Sequence, residues 1–224
     1  VSTPAPLRPA ALLATARFVT SVAESEQLQD APLQMLPEVA AVGRSNAGKS
    51  STINALAQRR QLAFASKTPG RTQLLNFFEL SRATAPGERA AVGYLVDLPG
   101  YGFAKVDDAT RQRWDMLVGG YLRDRRMLRG VLLIMDARHP LKPADEELLG
   151  WLAARDDPAA LRLHLVLNKA DQLKTMARRA ALAQAELRAE ALPMPTSVQL
   201  LSATEREGLD ELGDAVVEML GIKA

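Results

Sequence analysis

Short apolar runs alternate with longer stretches of helical spacing along most of the chain. The runs Glu38–Val42, Leu74–Leu80, Ala91–Asp97, Val131–Asp136, Leu163–Leu167 and Ser197–Leu201 are nearly continuous in apolar residues. Such runs suit strands buried on both faces. Between and after them, Lys49–Gln58, Thr110–Arg126, Pro143–Arg155, Thr175–Ala191 and Leu209–Leu220 carry the three-and-four spacing of amphipathic helices. The second and third strands are joined only by the turn-rich "SRATAPGER", which makes them antiparallel neighbours. Elsewhere strand and helix alternate, which implies right-handed crossovers and parallel pairing. The expectation is an α/β fold: a doubly wound, six-stranded, mostly parallel sheet with one antiparallel edge strand and helices on both faces. In such sheets ligands lie at the carboxyl ends of the strands. There is no internal repeat and no low-complexity tract.

Composition narrows this picture without redirecting it. A chain of 224 residues suits one substantial α/β domain, and 47% hydrophobic with 24% charged residues argues against global disorder. No run approaches the roughly 18 to 20 apolar residues of a membrane span. With no cysteine, disulfides and thiolate metal sites are excluded. The stretch "PLRPAALLATARFVTSVAESE" has arginines, small residues and no acid before Glu24, a weak likeness to an organelle transit peptide. Its apolar part is too short and interrupted for a secretory signal. The reading preferred is an N-terminal arm and strand of the domain, in a cytoplasmic protein. Net charge is only +2, but arginines cluster at Arg111, Arg113, Arg123, Arg125, Arg126 and Arg129, again at Arg178–Arg179, and Lys67 and Arg71 flank a Pro-Gly turn. Each cluster alone reads as a solvated face; together they make RNA or another polyanion a reasonable partner.

The polar signals fall just after strands, where the fold class wants them. Gly43-Arg44-Ser45-Asn46-Ala47-Gly48-Lys49-Ser50, followed by Ser51, matches a phosphate-binding loop between a strand and a helix. Its glycines let backbone N–H groups turn toward phosphate, and the helix N-terminus adds partial positive charge. Lys49 would reach the β and γ phosphates and the Ser50 hydroxyl would ligate Mg2+. On this motif alone ATP and GTP both stand. Asp97-Leu98-Pro99-Gly100 ends the third strand; Asp97 is placed to hold a Mg2+-bound water and the Gly100 N–H to meet a γ-phosphate. Asn168-Lys169-Ala170-Asp171 ends the fifth strand. A carboxylate at Asp171 accepts from both N1–H and the N2 amino group of guanine, whereas adenine would leave it unpaired. Lys169 would lie along the base and Asn168 would tie this loop to the phosphate loop. Ser202-Ala203-Thr204, after the sixth strand, offers N–H groups to the guanine O6. Four ordered motifs at four strand ends point to GTP and GDP. A switch segment, "SKTPGRTQLLNFF", would lie between the phosphate loop and Asp97. Its Thr72 is preferred as the γ-phosphate-dependent Mg2+ ligand, with Thr68 as the alternative; Gly70 follows Pro69 in a segment suited to ordering with GTP.

The stretches "PEVAAVGRSNAGKSS", "KTPGRTQLLNFF", "DLPGYGFAK", "DARHPLKPADEELLGWL" and "LNKADQL" resemble the EngB (YihA/YsxC) family of GTP-binding proteins, within the Era-like group. The likeness runs from about Phe18 onward. It implies a Ras-like G domain over residues 36–224 with an extension over 1–35, GTP and Mg2+ binding, and slow hydrolysis. It also implies a role in assembling the large ribosomal subunit, with a monomer expected and no stable membrane anchor. A GTP-dependent binding module with incidental hydrolysis, acting on a cell-division (septation) or membrane partner, is the alternative.

Many GTPases place a glutamine after D-x-x-G to orient water; here that position is Tyr101, which serves the role poorly and reads as a packing residue. Lys49, Thr72 and Gly100 then carry the expected catalysis, with help from outside. Potassium-stimulated members of the Era-like group have an asparagine at the Asn46 position, so the resemblance implies K+ held there; a hydrogen bond within the loop is the competing reading. His164, inside a strand, and Trp114 and Trp151, on helices, read as packed side chains rather than catalytic or base-stacking ones, and His139 lies in a loop at the functional end.

Overall fold

The computed structural model describes residues 8–24, 26–63, 74–102 and 108–222. Seven strands form one sheet: β1 Arg17–Val22, β2 Glu38–Gly43, β3 Leu75–Ala85, β4 Glu88–Asp97, β5 Leu128–Asp136, β6 Arg162–Asn168 and β7 Thr196–Leu200. Their order is β1-β3-β4-β2-β5-β6-β7. The helices are α1 Pro9–Leu13, α2 Gln27–Asp30, α3 Lys49–Leu56, α4 Asp108–Trp114, α5 Gly120–Asp124, α6 Pro143–Ala153, α7 Thr175–Glu190 and α8 Leu209–Met219.

The α/β class and the mostly parallel sheet match the sequence reading, but the strand count and the edge do not. The seventh is β1, the strand anticipated in the N-terminal arm but left out of the sheet count; it pairs antiparallel with β3 and caps it, so the lone antiparallel strand β3 is internal rather than an edge. The reason is local. Arg17–Val22 has too few apolar residues to register as a buried strand, yet Phe18 meets Phe78 edge to face at 6.1 Å and Ser21 Oγ donates to Asn76 Oδ1 at 2.7 Å. The β3–β4 ladder also runs through "SRATAPGER", from Asn76↔Asp97 to Ala85↔Glu88. These residues are mostly exposed; the hairpin projects past the core, so the apolar pattern that marks a strand is missing there. The expected helix over 110–126 is interrupted by a π-helical turn, Asp115–Gly119, whose Gly119 lies against the Trp151 ring.

Alternation along β2 divides the core. Ala40 and Val42 face a cluster with Phe77, Tyr94, Leu133 and the helices around Trp114, Leu148 and Ala185. Val39 and Ala41 face the other side, with Leu95, Ile134, Ile53 and Val216. At the amino end of β2, fully buried Glu38 accepts from the Tyr121 hydroxyl at 2.7 Å and from Arg125 Nη2 at 2.5 Å and Nε at 3.0 Å. The parallel strands β2, β4, β5 and β6 all deliver their carboxyl ends to one rim: Gly43, Asp97, Asp136 and Asn168. Among the described residues no helix is long and apolar enough to cross a membrane.

Candidate functional site

The rim is built first from backbone. β2 ends at Gly43, where a Cβ would lie 2.3 Å from the Ile134 carbonyl oxygen of β5, so only glycine lets the two strands approach there. The loop then turns through Asn46 (φ 65°) and Gly48 (φ 94°) into α3. At Gly48 a Cβ would strike the Asn168 amide nitrogen at 2.1 Å. That closeness is used: Asn168 Nδ2 donates to the Ala47 carbonyl at 2.9 Å, and Asn168 Oδ1 accepts from Ala203 N at 3.2 Å. One buried amide therefore binds three of the sequence motifs together.

Lys169, also at positive φ, donates from Nζ to the Asn46 carbonyl at 2.5 Å and to Asp136 Oδ2 at 3.0 Å. The Ser202 hydroxyl donates to Asp171 Oδ1 at 2.6 Å, holding an exposed carboxylate in a fixed orientation, and accepts from Glu205 N at 3.1 Å. Paired bonds between Ser202 and Glu207 main chains close this loop, which contains Ala203 and Thr204. Lys49 Nζ forms an ion pair with Asp97 at the end of β4. Gly100 lies against the loop, its Cβ position 3.4 Å from the Gly43 carbonyl oxygen. Ser50 and Ser51 open α3 beside Lys49. Thr72, its alternative Thr68, and Gly70 lie outside the described residues, as do Lys67 and Arg71.

Two features of the site escaped the sequence reading. Asp136, at the end of β5, accepts from the Arg138 guanidinium at 2.9 and 2.6 Å, from Arg138 N at 3.0 Å and from Lys169. Burial would raise its carboxyl pKa, but these hydrogen bonds outweigh burial and hold it well below the usual carboxylate range. The second is a cluster around fully buried Asp145 of α6. It accepts from the Tyr101 hydroxyl at 2.6 Å and from Lys142 N at 2.8 Å, and Arg44 Nε lies 3.3 Å away. Arg44 Nη2 donates to the His139 carbonyl at 3.0 Å. Burial first, then the neighbouring Asp145 carboxylate, push the Tyr101 phenol pKa well up, so it stays a neutral donor. Pro143 at the start of α6 and the acidic Asp145 in its first turn were readable helix-start signals; the link from Asp145 to Tyr101 was not.

The packing readings of the other aromatic and histidine residues match the structure. Tyr101 is buried and its ring packs at a tilt against Trp114 at 5.5 Å, which packs at a tilt against Trp151 at 5.5 Å. Trp114 Nε1 donates to the Pro99 carbonyl at 3.2 Å. His164 is buried between Ser197 Oγ at 2.6 Å and Gln199 Oε1 at 2.8 Å, and burial lowers its pKa.

A glycine-shaped loop between β2 and α3, an aspartate ending β4 and an Asn-Lys-Ala-Asp loop ending β6 define a P-loop GTPase. The model of the family described as 50S ribosome-binding GTPase matches residues 38–169. The chain is 47% identical over 201 residues to the probable GTP-binding protein EngB of Thiobacillus denitrificans, covering 89% of this chain and 88% of that protein. With the EngB of Aromatoleum aromaticum it shares 44% over 207 residues, 92% of this chain and 88% of the relative. The chain belongs to the EngB family of GTP-binding proteins, and it is a GTPase. Its fold is that of a crystal structure of a probable GTP-binding protein EngB (TM-score 0.58, 19% identity, 82% of this chain and 98% of the other). It is also that of Era in complex with MgGDPNP and a 16S ribosomal RNA segment (TM-score 0.57, 22% identity, 82% and 56%).

Proposed function

We propose that this GTPase is a switch that assists assembly of the large ribosomal subunit, docking on precursor particles with GTP bound and leaving after hydrolysis. The observation that carries this reading is the Asn168 amide, which joins the phosphate loop to the Ser202–Thr204 loop, together with the match to a family described as ribosome-binding. Residues 36–224 serve as the G domain and 1–35 as an extension that lends β1 to the sheet, in a cytoplasmic monomer.

In this reading Gly43–Ser51 cradle the phosphates, and Lys49 exchanges its Asp97 partner for the β and γ phosphates. Asp171, oriented by Ser202, selects guanine; Lys169 flanks the base; Ala203 and Thr204 offer N–H groups to O6. The Gly100 N–H meets the γ-phosphate. The oxygen donors at Ser50, at Asp97 through water and at Thr72 suit Mg2+, a hard cation, which would neutralise charge on the phosphates. In Era, the same fold accommodates MgGDPNP with ribosomal RNA, which supports pairing these two ligands here. The Asn46 side chain is exposed, and among the described residues it makes no hydrogen bond, only its carbonyl being engaged. That supports K+ over a bond within the loop, the ion offsetting charge that develops on the phosphates.

The test is co-sedimentation with large-subunit precursor particles in a non-hydrolysable GTP analogue and in GDP. Sedimentation in the analogue alone is expected. Equal sedimentation in both states, or none, overturns the reading, and recovery with membranes instead supports a GTP-dependent binding module.

A further inference from the structure

Several of the described arginines in the sequence clusters have acidic neighbours in the fold. Arg125 is spent on Glu38, and Arg178 pairs with Glu207 at 2.7 Å. Arg123, Arg126 and Arg129 share a cleft with Asp124, Asp156 and Asp157. Uncompensated positive charge collects elsewhere, in an open groove of about 420 Å³ lined by Ser51, Asn54, Gln58, Arg59, Arg60 and Arg206. The three arginines are exposed and, among the described residues, have no ion pair or side-chain hydrogen bond. Among the described residues no acid lines this groove; Asp210 and Asp214 line a neighbouring cleft that shares Arg206.

Two observations mark the groove as built. The turn presenting Arg59 and Arg60 is pinned by Asn54: its Oδ1 accepts from Leu62 N at 2.9 Å and Ala63 N at 2.8 Å, its Nδ2 donates to the Ala63 carbonyl at 2.9 Å, and its own carbonyl accepts from Arg59 N at 2.9 Å. Arg206 is held at φ 60° and Gln58 at φ 52°, backbone conformations that disfavour such side chains. The walls also belong to the nucleotide site. Ser51 follows the proposed Mg2+ ligand Ser50 on α3, and Arg206 sits in the Ser202–Glu207 loop that orients Asp171.

We infer that Arg59, Arg60 and Arg206 form a docking groove for the phosphodiester backbone of RNA, set against the phosphate-loop helix and the base-recognition loop. This deepens the proposed function and rests on it for the identity of the RNA. Three spaced guanidinium groups on a fixed frame suit successive phosphates rather than one free anion. A membrane surface would want apolar anchors beside the charge, and the exposed large apolar side chains, Phe18, Met35, Met116, Met176 and Leu187, line no part of the groove.

The test uses the full chain, a labelled transcript of large-subunit ribosomal RNA, and vesicles of phosphatidylcholine with phosphatidylglycerol, with binding followed by fluorescence anisotropy over a KCl series. The R59E/R60E/R206E variant should bind the transcript about tenfold or more weakly and lose about 2 from its salt slope, as removing three phosphate contacts requires. The R59E/R60E variant, which leaves the Ser202–Glu207 loop untouched, should keep the wild-type GTP-analogue affinity and Tm while binding the transcript more weakly than wild type. R123E/R126E/R129E should bind RNA nearly as wild type does. Undiminished RNA binding by the groove variant, loss in the R123E/R126E/R129E variant instead, or groove-dependent binding of vesicles in place of RNA overturns the inference. GTP-dependent sedimentation with precursor particles that the groove variant retains removes the groove and keeps the function. Groove-dependent RNA binding without any particle sedimentation does the reverse.

Discussion

β2 carries a buried tyrosine–carboxylate–arginine cluster at each end, and the two are satisfied differently. At the amino end, Glu38 accepts from Tyr121 and from a bidentate Arg125, with contacts of 2.5 to 3.1 Å. At the carboxyl end, Asp145 accepts from Tyr101 and from the Lys142 amide, but Arg44 Nε stands 3.3 Å off and has no hydrogen bond. Both phenols are neutral donors, their pKa raised first by burial and then by the neighbouring carboxylate. The first cluster is saturated and joins β2 to the α5 region, far from the rim. The second lies between the phosphate loop and Gly100, where Ser45 N donates to the Tyr101 carbonyl at 2.9 Å. A fully paired buried charge locks its surroundings, whereas a partly paired one leaves alternative arrangements close in energy. The difference places rigidity at the base of the domain and adjustability beside the phosphate loop.

The strongest way to break this contrast is Glu38→Ala. It strands Arg125 and the Tyr121 hydroxyl and should cost about 3–5 kcal/mol in urea unfolding, with GTP affinity of the folded protein little changed. A large loss of affinity in folded protein would show that the amino end is not merely structural. The matched pair Tyr121→Phe and Tyr101→Phe comes next. Each deletes a hydrogen bond to a buried carboxylate, worth about 1.5–3 kcal/mol. Only Tyr101→Phe should weaken GTP-analogue binding relative to GDP, by shifting Gly100; identical nucleotide profiles would erase the distinction. Asn46→Ala should leave the unfolding midpoint nearly unchanged and abolish any faster hydrolysis in K+ than in Na+ at equal ionic strength. Equal wild-type rates in the two salts would remove the K+ reading.

The smallest effects are those of pH. The Asp136 pKa is lowered on folding, so its stabilisation is present above the ordinary carboxylate range, about pH 4, and is lost as pH falls below it. Asp136→Asn should flatten that acid limb of the unfolding midpoint. The His164 pKa is lowered by burial, so the folded state loses stability as pH falls below about 6.5, where the unfolded chain takes up the proton first. His164→Gln should remove that slope while leaving nucleotide binding intact.

The nucleotide rim was legible because its chemistry is written locally. Gly43 and Gly48 set the bend of a short loop, apolar runs mark the strands before Asp97 and Asn168, and a carboxylate at Asp171 has the acceptor pattern guanine needs. What was misread, or left out of the sheet count, had weak local signals. β1 is a partly exposed strand whose partner β3 lies some 55 residues away at Ser21–Asn76, and the β3–β4 tip lacks an apolar face because it leaves the core.

The sequence by itself determined the α/β class, the four strand-end motifs and the preference for guanine, since dihedral freedom, periodic burial and side-chain acceptors are properties of contiguous residues. Only the tertiary structure decided which charges are paired. Tyr101 finds Asp145 across 44 positions and Arg125 finds Glu38 across 87, while Arg59, Arg60 and Arg206 come together without an acid among the described residues that line their groove. An ion's environment is set by what the completed sheet and helices bring within a few ångströms of it, and that distance is not encoded at any single stretch of the chain.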